Sequence, residues 1–74
     1  MTTVPMINMA ATGANITALR KKNKVTVKDI EETLGVTKTA VCKWQRGETL
    51  PTIDNLVGLA AMLNVTLNEI VVTE

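Results

Sequence analysis

The side chains of this 74-residue sequence best equipped to bind something are its cations. All eight, Arg20, Lys21, Lys22, Lys24, Lys28, Lys38, Lys43 and Arg46, fall between positions 20 and 46, with only Asp29, Glu31 and Glu32 among them, so that stretch carries a net +5. Residues 47–74 hold Glu48, Asp54, Glu69 and Glu74 without a base, a net −4, and residues 1–19 hold no charged side chain. The chain is near neutral overall at +1, yet one part of its surface is suited to a polyanion and another part to something else. Covalent and metal chemistry are poorly supplied. Histidine is absent and Cys42 is the single cysteine, so neither a Cys/His zinc site nor a histidine-based triad can be assembled. No nucleophile, base and orienting group come together, and neither an enzyme nor a cofactor is expected.

The elements that position these cations follow from length and apolar content. Apolar residues make up 46% and charged ones 20%, which suits a compact core and argues against a disordered chain. The aromatic content is one tryptophan, so leucine, isoleucine, valine, methionine and alanine must build the interior. That composition favours helices over aromatic-rich strands. A single small domain is expected, of the size that buries about 60% of its unfolded surface, with no room for a ligand-sensing domain. No run approaches the ~18 apolar residues of a membrane span, and the N-terminus lacks the basic flank of a signal peptide. With one thiol and no possible internal disulfide, a cytoplasmic location and no membrane partner are expected.

Residues 1–12 show no clear period and read as an N-terminal arm, although Val4, Met6, Ile7 and Met9 are apolar enough that Ile7 or Met9 is expected to pack on the domain or a partner chain. Residues 13–74 form the domain. Its first helix is expected from Gly13, with Ile16 and Leu19 inward and Arg20, Lys21 and Lys22 complementing its C-terminal dipole; Asn23 or Lys24 ends it. Thr26 reads as an N-cap with Asp29 closing a capping box, and Ile30 and Leu34 mark the buried face of a second helix that Gly35 stops. Thr37 opens a third helix through Arg46, with Val41 and Trp44 inward. Thr52 caps a fourth, where Leu56, Leu59, Ala60 and Leu63 recur at i, i+3, i+4 and i+7 and Asn64 takes the left-handed stop. Thr66 and Glu69 box a short fifth helix with Leu67, Ile70 and Val71 as its apolar side. Residues 70–73 are β-branched enough to form an extended tail.

Two short helices joined by a tight turn containing glycine have the shape of a helix-turn-helix. The positions that must be buried where these helices cross are Ile30, Leu34, Val36, Val41 and Trp44, and all are apolar. Gly35 falls at the turn, where a positive φ lets the next helix leave steeply.

From Gly13 to Val71 the chain resembles the small lambda-repressor-like regulators, the Xre/Cro helix-turn-helix class. The residues that carry the likeness are Leu19-Arg20-Lys21-Lys22, Leu34-Gly35-Val36-Thr37 and Lys43-Trp44-Gln45-Arg46-Gly47. It continues through Leu50-Pro51-Thr52, Asn55-Leu56, Leu59-Ala60 and the run Leu63 to Ile70. The resemblance implies an all-α, five-helix domain that binds double-stranded operator DNA, typically as a homodimer, and regulates nearby promoters. It also implies that the helix 37–46 enters the major groove, with Lys38, Thr39 and Lys43 at base edges. Thr37 matches a phosphate contact, and Arg46 with the loop at Thr49 matches a second backbone clamp. Three positions depart from the pattern. Val27 stands where a phosphate-gripping glutamine is common, and Lys28 is expected to take over that contact. Glu31 replaces an alanine at the crowded helix crossing. Gln45 replaces a common glutamate, removing a negative charge near the DNA-backbone-facing edge.

Plainer roles cover other conspicuous residues. Trp44 is read as a core pillar rather than a base-stacking residue, Cys42 as a small residue near the groove rather than a redox switch, and the methionines as core filler. The cluster Arg20, Lys21, Lys22 and Lys24 is equally well a solvated helix end or a phosphate-facing rim. The reading is therefore a sequence-specific, double-stranded DNA-binding transcriptional regulator on a pseudo-palindromic operator. Its alternative is an antitoxin-like or phage-encoded module that binds a protein partner, with DNA binding secondary.

Overall fold

The computed structural model describes residues 4–74. Five helices follow in order: α1 (Met9–Lys22), α2 (Val27–Leu34), α3 (Lys38–Gln45), α4 (Ile53–Leu63) and α5 (Leu67–Ile70). The expected all-α, five-helix architecture is the one observed. Their shared interior is Ile16, Ile30, Val41, Trp44, Leu56, Leu59, Ala60, Leu63 and Ile70, with Leu19, Leu34, Val36 and Met62 packed partly buried against it.

Local chemistry sets most boundaries. The hydroxyls of Thr37 and Thr52 accept the backbone N–H three residues on, at 3.1 and 3.3 Å, which satisfies one orphan donor of each following helix. Asn64 ends α4 in the left-handed region at φ 56°. Asn23 ends α1, its amide donating to the Leu19 carbonyl at 2.8 Å.

The start of α1 differs from expectation. It lies at Met9 rather than Gly13, with Asn8 as N-cap accepting from the Ala11 N–H at 2.9 Å. Ala10, Ala11 and Ala14 are strong helix formers, but the face they help build buries Thr12, Gly13 and Ile16, so no large apolar stripe announces it. Gly13 lies within the helix because of a close approach: a Cβ there would lie 2.5 Å from the Trp44 carbonyl oxygen and 2.6 Å from that of Gln45. Helices α1 and α3 therefore meet main chain to main chain.

Of the expected arm, residues 1–3 lie outside the described ones, and Met6, Ile7 and Asn8 run beside the other end of the chain. Ile7 forms an isolated antiparallel bridge with Thr73, held by Asn8 N–H to Val72 C=O and Glu74 N–H to Met6 C=O, both 2.8 Å. The fully buried Thr12 accepts the Val72 N–H at 2.9 Å. Asn15 donates its amide to the Ile70 carbonyl at 3.1 Å. The extended tail expected at 70–73 thus begins at Val71, and side chains of α1 hold it. Helix α5 is a single turn, which leaves room for only one inward position: Ile70 is buried, whereas Leu67 is 39% exposed, against the expectation that it would pack.

Candidate nucleic-acid interface

Helix α2 begins at a reciprocal capping box. The Thr26 hydroxyl accepts from the Asp29 N–H at 3.0 Å, and the Asp29 carboxylate accepts from the Thr26 N–H at 2.9 Å. Those bonds, the backbone one foremost, hold the Asp29 carboxyl below the usual aspartate range, because they favour its charged form. Ile30 and Leu34 then face inward. At the far end Gly35 adopts φ 66°, ψ 37°, and its N–H donates to the Glu31 carbonyl. A side chain there would meet nothing within 4 Å, so the left-handed backbone rather than crowding calls for glycine.

After this turn the Thr37 hydroxyl accepts the Ala40 N–H, which leaves its own hydrogen available to a ligand. Val41 and Trp44 anchor α3 at 0% and 5% exposure. Lys38, Thr39 and Lys43 are all exposed, and Cys42 lies half-buried between them. The inward pair and the outward lysines follow from the 100° step of a helix. Thr37, Arg46, Thr49 and Lys28 are likewise exposed, Lys28 on the first turn of α2 and Thr49 in the loop before α4. All seven side chains expected to contact DNA are thus open to solvent. Glu31 is half-buried at the helix crossing.

Two tethers were not foreseen. The Arg46 guanidinium is paired with the Glu48 carboxylate, the one ion pair among the described residues. Arg20 donates from Nε to Gln45 Oε1 at 3.0 Å and from Nη1 to the Val25 carbonyl at 3.2 Å. The Thr17 hydroxyl lies 3.1 Å from the same Gln45 oxygen. Of the basic cluster at the end of α1, Arg20 is therefore a half-buried brace between helices, while Lys21, Lys22 and Lys24 are exposed. Gln45 stands 25 and 28 positions from Arg20 and Thr17, and no local pattern marks that contact.

A five-helix domain whose second and third helices are set by a left-handed glycine, with a solvent-facing third helix, is the lambda-repressor-like architecture. The chain belongs to the helix-turn-helix family, whose model matches residues 16–70, in the Xre/Cro class of DNA-binding transcriptional regulators. The fold is shared with the restriction-modification controller protein C.AhdI from Aeromonas hydrophila, at TM-score 0.75 and 19% identity over 85% of this chain and 96% of that one. It is shared with the clp gene regulator ClgR from C. glutamicum, at 0.73 and 19% over 84% and 80%. The DNA-binding domain of BldD superposes at 0.70 with 23% identity over 86% and 93%. No curated protein matches the sequence. Among the described residues no helix is long and apolar enough to cross a membrane.

Proposed function

We propose that the protein is a sequence-specific regulator that binds double-stranded DNA in the cytoplasm as a homodimer on a pseudo-palindromic operator, reading it with α3. The observation that carries this reading is the division of that helix: Val41 and Trp44 are buried beneath it while Lys38, Thr39 and Lys43 stand outward. A lysine there donates to guanine O6 and N7, and a threonine offers a hydroxyl or a methyl group. Thr37, Arg46, Thr49 and Lys28 take phosphates, fixing register without reading sequence. One protomer offers few base contacts, and a two-fold pair with recognition helices about 34 Å apart doubles them.

Selection of bound duplexes from random DNA tests the reading. A preferred, two-fold-related sequence is expected, and Lys38→Ala and Lys43→Ala should each weaken it by about 1–3 kcal/mol relative to unrelated DNA. An unselected pool, or variants that bind as the parent does, would reject α3 as the reader. Light scattering with and without the operator decides the dimer, and one protomer per duplex throughout would reject it. The alternative of a protein-interaction module draws on the exposed Val4, Met6, Ile53 and Val57, 53–78% accessible, which suit a protein surface. That reading takes over if the selection yields no preferred duplex.

A further inference from the structure

We infer that Gln45 is a DNA-phosphate ligand, its amide N–H2 held ready by Arg20, so that the end of α1 and the end of α3 grip one stretch of backbone together. The inference rests on the proposed DNA-binding role and adds a contact to it. A guanidinium can only donate, so the side-chain oxygen of Gln45 must be the atom that faces Arg20 Nε at 3.0 Å. Thr17 approaches that same oxygen. The amide nitrogen is thereby turned the other way, carrying two hydrogens.

Nothing among the described residues accepts from this nitrogen, and no buried side-chain nitrogen or oxygen there lacks a partner. Gln45 itself is only half-buried, and its N–H2 keeps contact with solvent. The position adjoins the exposed Arg46 in sequence. Through Arg20 it also joins the end of α1, where Lys21, Lys22 and Lys24 are exposed.

Charge points the same way. A carboxylate on Arg20 would neutralise the guanidinium; the neutral amide leaves it a full positive charge with donors to spare. The one ion pair among the described residues is elsewhere, between Arg46 and Glu48. Gln45 thus offers an anion two donors beside an uncompensated cation. A phosphate diester has the acceptor oxygens and the charge to use both.

Gln45→Glu is the discriminating variant, because its carboxylate accepts from Arg20 and Thr17 as the amide does and keeps the side-chain length. Melting temperature should be unchanged or raised, while affinity for duplex DNA should fall about tenfold or more, selected and random sequences alike. The slope of log affinity against log salt should become shallower by about one, as Arg20 ceases to displace a counterion. Gln45→Met, which removes the donors without adding charge, should weaken all duplexes several-fold and guards against any distortion by the glutamate. Binding of both variants within about twofold of the parent, or a loss confined to one sequence, overturns the inference while leaving the DNA-binding role intact. Failure of the parent protein to bind any duplex overturns both.

Discussion

The two ends of α3 are built on opposite plans. At its start the Thr37 hydroxyl caps the helix and the side chains of Lys38 and Thr39 are exposed, with no side-chain hydrogen bond among the described residues. At its finish Gln45 is pinned by Arg20 and Thr17, and Arg46 by Glu48. Untethered side chains can adapt to base edges, whereas Gln45, pre-set by Arg20, loses less freedom on meeting a phosphate; at Arg46 the Glu48 carboxylate competes with the phosphate instead. On the proposed role, Lys38 and Thr39 meet bases from the front of the helix and Gln45 and Arg46 meet backbone at the back, with Lys43 between them and Val41 and Trp44 beneath serving both.

The harshest way to break that contrast is to remove the shared support. Trp44→Ala should cost about 3–5 kcal/mol, a large share of the ~5–15 kcal/mol typical of a whole domain. Urea denaturation followed by circular dichroism should show a lowered midpoint, and both ends of α3 should lose function together. A native-like midpoint would mean that the tryptophan is not the anchor. A gentler change acts on the back end alone. Glu48→Gln releases Arg46, and affinity for any duplex should rise about two- to fivefold at low salt, an effect small because the pair is well exposed and screened. If only one sequence gained, Arg46 would belong with the readers at the front.

The smallest effect concerns the foundation of α2. Because the Asp29 carboxyl is held below its usual range by the Thr26 bonds, its contribution is complete above the ordinary aspartate value, about pH 4. It is lost as pH falls through the lowered folded value. Asp29→Asn should flatten the acid limb of the stability curve without altering the neutral-pH order of the DNA-binding variants. An unchanged acid limb would show that the box contributes no pH dependence.

Much of this could be read before any coordinates because it is local. Thr26 with Asp29, Thr37, Thr52 and Asn64 act on residues three or four places away, and each does the work its type implies. Gly35, Val41 and Trp44 were legible for the same reason: turn geometry and helical period are short-range. What escaped depends on distant partners. Helix α1 buries a threonine and a glycine, whose value comes from the main chain of α3 and the tail at Val72, so apolar spacing could not reveal its start. Arg20 and Gln45 meet across 25 positions. The exposure of Leu67 followed from a helix too short to turn a second residue inward.

Since α1 approaches α3 at Gly13 through the carbonyl oxygens of Trp44 and Gln45, part of the seat beneath the third helix is made from atoms that every amino acid carries. Outward residues such as Lys38, Thr39 and Lys43 can be exchanged for others with no change in that seat. A lineage could rewrite what this helix reads, letter by letter, while the angle at which it is offered stays the same.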